Sequence, residues 1–172
     1  MMRSLENYGM DKSLLLLVLA VFLGLAGCRS LSLSGVGKMV SEENRIPLVE
    51  AGTEYGSWQT RDLTLDYRYS RDQSTLGISG AISFAGQLKN NFSFLEYFYL
   101  SVIFLDSQGR VLEMRGLTST NYGYIDYPIT FNTTLTVPYT TQSIAFSYRG
   151  QARSAGSHDT GSSTYFWEYP IH

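Results

Sequence analysis

From Trp58 onward, apolar and polar residues alternate with a period of two, the period of strands. Leu63, Leu65, Tyr67 and Tyr69 alternate with Thr64, Asp66, Arg68 and Ser70, which predicts a strand with one face on a core and one in water. Arg71-Asp72-Gln73-Ser74 reads as a turn. Leu76, Ile78, Gly80, Ile82 and Phe84 then alternate with small or hydroxyl residues, so the two runs predict a hairpin or neighbouring strands. Tyr97 to Leu105 (YFYLSVIFL) is apolar on both parities, as a central strand covered on both faces would be. In Asp106-Ser107-Gln108-Gly109 an aspartate opens and a glycine closes a type I turn with a glycine bulge, and Arg110 to Leu117 is the return strand. Ile129, Phe131, Leu135 and Val137 make a fifth strand, stopped by Pro138. Ile144, Phe146 and Tyr148 make a sixth, and Tyr165, Trp167 and Tyr169 a seventh that Pro170 ends.

About seven short strands, separated by turn signals and without an amphipathic helix, predict an all-β fold: an antiparallel immunoglobulin-like β-sandwich over residues 58–172. A small barrel gives a similar pattern. Residues 29–57 are polar, punctuated by Ser and Gly, and without sustained periodicity, so 28–57 reads as a tether. Within it, Ile46-Pro47-Leu48-Val49 is a candidate edge segment.

Between residues 78 and 112, ISGAISF, LEYFYLSVIFLD and SQGRVL resemble the FxLyD-type bacterial sandwich modules. There a glycine-bearing strand precedes a long apolar strand, an aromatic-Leu-Asp turn, a glycine and an apolar return. Phe104, Leu105, Asp106, Gly109 and Val111 occupy those positions here. The resemblance covers about a fifth of the chain, and it implies a fold without implying an activity. A clear Pro-Gly-Glu turn further on is missing, with Val137-Pro138-Tyr139 in its place.

Ahead of the strands lies a different pattern. Leu14 to Leu25 is an uninterrupted apolar run of 12 residues, preceded by Arg3 and Lys12. It matches the h-region of a secretory leader and is shorter than the roughly 20 residues a membrane-spanning helix needs. Met1, Met2 and Met10 are all candidate starts. The run ends in Leu25-Ala26-Gly27-Cys28, with the chain's single cysteine directly after a small pair. This resembles the lipobox of bacterial lipoproteins, which implies removal of residues 1–27, lipid on Cys28 and attachment to a membrane. In a host with two membranes, Arg29 in place of an aspartate implies the outer membrane, on its periplasmic face or its surface.

Composition narrows the chemistry. Residues 28–172 hold 11 Lys+Arg and 13 Asp+Glu, a net charge of −2 that gives no footprint for nucleic acid. With its cysteine committed to lipid, the mature chain has no internal disulfide and no thiolate for catalysis or metal. His158 sits in a Gly/Ser-rich stretch beside Asp159, and His172 is the last residue; both read as loose, solvated side chains. Serines occur in no G-x-S-x-G pattern, and Gly77-Ile78-Ser79-Gly80 falls within a strand. Asp62 and Asp66, four apart on a strand, read as one solvated face with Arg68. The expectation is therefore a non-enzyme without a metal, and without a cofactor beyond the covalent lipid.

Candidate binding residues lie where aromatics interrupt polar connections. Thr118 to Pro128 carries Tyr122, Tyr124 and Tyr127, and tyrosine supplies rigid contact area with a polar tip. Arg149 to Ser163 reads as a long Gly/Ser-rich loop of the kind that is functional or disordered. An envelope lipoprotein that binds a protein partner or gives structural support is the expected function. Recognition of a carbohydrate or surface ligand by the loop tyrosines is the alternative.

Overall fold

A computed structural model describes residues 35–155 and 161–172; the leader, Cys28, His158 and Asp159 lie outside the described residues. Nine strands are present among the described residues: β1 (Ile46–Pro47), β2 (Thr53–Gln59), β3 (Leu63–Asp72), β4 (Thr75–Phe84), β5 (Phe94–Leu105), β6 (Val111–Tyr124), β7 (Ile129–Thr136), β8 (Ser143–Arg153) and β9 (Ser163–Glu168). They form two antiparallel sheets. One runs β2-β3-β4-β7; in the other β8 pairs with β5, β5 with β6, and the free side of β8 takes β1 at one end and β9 at the other. The fold is the expected all-β sandwich. Its connections place β3-β4-β7 against β9-β8-β5-β6, as strands A-B-E oppose G-F-C-C′ in immunoglobulin-like domains.

The alternation read from the sequence decides the core. Leu63, Leu65 and Tyr69 of β3 and Leu76, Ile78, Ile82 and Phe84 of β4 are buried against Phe98, Leu100, Val102 and Phe104 of β5 and Ile144, Phe146 and Tyr148 of β8. Phe98, Phe104, Phe146 and Phe166 are among the largest side chains fully withdrawn from water. Phe84 meets Phe98 edge-on with ring centres 5.3 Å apart, the arrangement aromatic quadrupoles favour.

The Asp106–Gly109 turn has the expected chemistry. Gly109 Nα donates to the Asp106 carbonyl at 3.0 Å, Gly109 takes φ +83°, and Asp106 Oδ1 accepts from the amides of Gln108 and Arg110. The Arg45 guanidinium covers Gly109 so closely that a Cβ there would collide with it. The left-handed backbone favours glycine, and a Cβ would also oblige the Arg45 guanidinium to move.

Four expectations are corrected. Of the expected tether, residues 35–57 belong to the folded unit. Seven residues of β2 pair with β3, and Leu48 is buried in the core. The segment escapes a periodicity reading because β2 is an edge strand held by backbone bonds, with most of its side chains exposed. Second, β6 continues to Tyr124 and β8 to Arg153, which turns most of one expected loop and part of the other into strand. Third, in β9 the apolar parity is inverted: Phe166 faces the core while Tyr165 and Trp167 face outward. Fourth, Asp62 is buried just ahead of β3, and Asp66 alone of that pair is exposed on the strand. A short helix, α1 (Gly86–Asn91), also links β4 to β5 and buries Leu88.

Candidate binding face

Outward-facing residues of β5 divide the β9-β8-β5-β6 sheet into two halves. At one end Ile103 and Leu105 are fully buried although they point away from the main core. Val40 and Ile171 bridge to one another and pack with Ile103, Leu105, Val111 and Ala145 in a second apolar cluster. Backbone bonds hold the cover in place: Gly37 Nα donates to the Val111 carbonyl, Val111 Nα to that of Lys38, and His172 Nα to that of Met39. Arg45 adds two bonds from Nε and Nη2 to the Val40 carbonyl at 2.9 and 2.7 Å. His172 is exposed, as expected, but its ring pairs with Ser41 Oγ at 3.0 Å and is not loose.

At the other end nothing among the described residues covers the face. Register places two rows side by side across the strands. Trp167 of β9 is level with Arg149 of β8, Tyr99 of β5 and Ser119 of β6. One step along, Tyr165 is level with Gln151, Tyr97 and Asn121. Trp167 and Tyr165 are 62% and 61% exposed, which is unusual for rings of this size on a packed sheet. Between β5, β6 and β8 lies a depression of about 520 Å³ lined by Glu96, Tyr97, Tyr99, Asn121, Tyr122, Arg149 and Gln151.

Irregular backbone brings those groups together. The β5–β8 register shifts between Leu95 and Tyr97, and Tyr122 adopts φ +56°, a left-handed conformation uncommon outside glycine. Consecutive residues Glu96 and Tyr97 therefore line the same depression, as do Asn121 and Tyr122. Bulges and strained residues of this sort re-aim side chains next to functional sites. Two of the three charges here answer one another. Glu96 forms an ion pair with Arg153, the Arg153 guanidinium lies 5.4 Å from the Phe94 ring centre, and that of Arg149 lies 5.0 Å from the Tyr99 ring centre. Each is within the range of a cation–π attraction.

Of the residues picked out by the sequence, Tyr122, Tyr124 and Tyr127 are 78%, 60% and 70% exposed. Tyr122 lines the depression. Tyr124 packs at a tilt on Phe94, ring centres 5.1 Å apart, and edge-on at 6.1 Å against Tyr127, forming an aromatic corner at the end of the sheet. Trp167, Tyr165, Tyr99 and Tyr97 were not picked out, because a tyrosine or tryptophan in a strand run counts as core by period alone, while Arg149 and Gln151 fell in the stretch read as a loop. The available signal was chemical: in both YFYL and TYFWE the phenylalanines face inward and the rings with a polar tip face outward.

Away from this face, the most perturbed group is the Tyr148 phenol, pushed well above its usual 10.0 by burial and further by its bond to Asp62, against a lowering effect of Thr60. Its hydroxyl donates to Asp62 Oδ2 and contacts Thr60 Oγ1, both at 2.9 Å. Thr60 Oγ1 also accepts from the amides of Asp62 and Leu63, and Arg61 pairs with Asp62 from solvent. The cluster ties the β2–β3 turn to β8 across the sandwich. Its polar atoms answer one another, which makes it a structural junction.

Among the described residues, no group of three or more His, Cys, Asp or Glu side chains is placed to hold a metal ion, and no helix is long and apolar enough to cross a membrane. Comparison of the chain with family models, curated proteins and solved structures finds no match.

Proposed function

We propose that this chain is the precursor of a bacterial lipoprotein, cut before Cys28 and held to a membrane by lipid on that thiol. Its mature part is a non-catalytic recognition module that works through the open half of the β9-β8-β5-β6 face. The lipobox carries the first half of the reading, with Arg29 favouring the outer membrane. Seven residue steps lead from Cys28 to Gly35, so the link between lipid and module can span at most about 25 Å. The observation that carries the second half is the concentration of exposed Trp167, Tyr165, Tyr99 and Tyr122 around Arg149 and Gln151 on one face. Tryptophan, tyrosine and arginine are the residues on which binding energy concentrates. An envelope protein and a carbohydrate are both partners that such a face would serve.

The anchor and the face are tested separately. Cys28→Ser is expected to give a chain that is exported and no longer sediments with membranes; unchanged fractionation would refute the anchor. For the face, a small maleimide is reacted with Ser119→Cys and Thr134→Cys in intact cells and after purification of the lipidated protein. Ser119 lies on the open face and Thr134 on the outer side of the opposite sheet. The expected result is a several-fold slower reaction at position 119 in cells, with position 134 unchanged. Equal reactivity of both sites in both settings would remove the recognition role.

A further inference from the structure

Building on the reading of the open face as a recognition surface, we infer that its ligand is a neutral, extended, β-1,4-linked glycan chain lying across the strands. Three features of the face lead there. The first is the order of groups along each row. Trp167, Arg149, Tyr99 and Ser119 run ring, planar polar group, ring, hydroxyl, and Tyr165, Gln151, Tyr97 and Asn121 run ring, amide, ring, amide. A pyranose offers an apolar C–H face to a ring and equatorial hydroxyls to amides and guanidinium groups, and Arg149, which lies over the Tyr99 ring, turns aside to those hydroxyls so that the ring can stack.

The second feature is spacing. Strands lie about 4.8 Å apart, so the backbones that carry the rings on β9 and β5 are two strand spacings, about 9.6 Å, apart. That is close to the length of one disaccharide. In a β-1,4 chain each sugar is turned over relative to the last, so sugars two apart present the same face in the same direction. Stacking platforms two strands apart with a hydrogen-bonding strand between them match this repeat, and they match neither a coiled α-linked chain nor a single sugar.

Charge supplies the third. Glu96 is paired with Arg153, and the Arg149 guanidinium lies over the Tyr99 ring. Glu96, Arg153 and Arg149 together leave a single positive charge, too little for a ligand bearing many anionic groups, and a cationic one would meet a carboxylate already engaged. Polar groups that remain at the depression, such as Asn121 and Gln151, both donate and accept, which suits hydroxyls. The other outer face lacks the two rows. Its depression of about 620 Å³ is lined by Tyr55, Tyr67, Arg68 and Phe131 with Ser79, Ala81 and Thr130, and no tryptophan is among them.

The test is calorimetric titration of the full-length lipidated chain in detergent with neutral β-1,4 hexasaccharides of glucose, N-acetylglucosamine and mannose. At least one is expected to bind. Trp167→Ala and Tyr99→Ala should each weaken it by about tenfold, and Tyr139→Ala, at a fully exposed position off this face, should not. Circular dichroism of each variant establishes that it is folded. Absence of binding to all three sugars by the folded chain would overturn the inference, and so would binding unchanged by both ring substitutions. If Ser119→Cys is nevertheless protected in cells, the face serves a protein and the recognition role survives without the glycan. If it is not protected either, both readings fail together.

Discussion

Ile103 and Tyr99 point the same way from the same strand, four residues apart, yet one is fully buried and the other lies open to solvent. The difference is made by what crosses above them. Over Ile103 and Leu105 the chain lays Val40 from its N-terminal segment and Ile171 from its C-terminal one, fixed by bonds to β6 and by the Arg45 guanidinium. Over Tyr97 and Tyr99 nothing among the described residues is laid, and the residue types change from aliphatic to aromatic with a polar tip. One face of one sheet thus has a half that stabilises the fold and a half that is available to a ligand. Residue chemistry marks the border.

The largest expected effect breaks the comparison at its covered end. Ile103→Asp places an uncompensated carboxylate where no water reaches, at a cost of about 4 kcal/mol or more, and should leave little folded protein by circular dichroism. Tyr97→Asp, six residues earlier on the open side, should fold normally. Next comes the tie across the sandwich. Tyr148→Phe removes one hydroxyl from both Asp62 and Thr60 and should cost about 1–3 kcal/mol in urea unfolding. Smaller again is Gly109→Ala, which forces a side chain into a left-handed turn under Arg45 and should cost about 1–2 kcal/mol.

An effect of pH sharpens the contrast between buried and open tyrosines. Burial raises the phenols of Tyr148, Tyr67 and Tyr69 above their ordinary 10.0. Below that pH they are neutral in both folded and unfolded chains, so the folded state has its full stability. Above it the unfolded chain ionises first, binds fewer protons than the native state and is favoured, so stability falls as pH rises. The urea midpoint should therefore decline between about pH 10 and 11, and Tyr148→Phe should flatten part of that decline.

Much of the fold was legible because strands with one buried face write their period into the chain. Leu63 to Tyr69 and Leu76 to Phe84 did so, and the Asp106–Gly109 turn declared itself by residue type. What was hidden had other sources of order. β2 is held by backbone pairing at an edge, so its side chains carry no pattern. Thr118 to Tyr124 read as a loop because an edge strand facing water needs no apolar residues. Asp62 read as solvated because its burial depends on Tyr148, 86 positions away. The tyrosines at 122, 124 and 127 were visible as rings in polar surroundings, whereas Trp167 and Tyr99 were concealed inside runs that period alone assigns to the core.

The central claim is that the covered half of this face holds the fold together and the open half does not. Equilibrium urea unfolding of Leu105→Ala beside the double variant Tyr99→Ala/Trp167→Ala tests it most directly. Loss of the buried leucine should cost about 2–5 kcal/mol, while loss of both exposed rings should stay within about 1 kcal/mol of the parent. If the ring variant loses as much as the leucine variant, the aromatic half is part of the core and the division of the face is wrong.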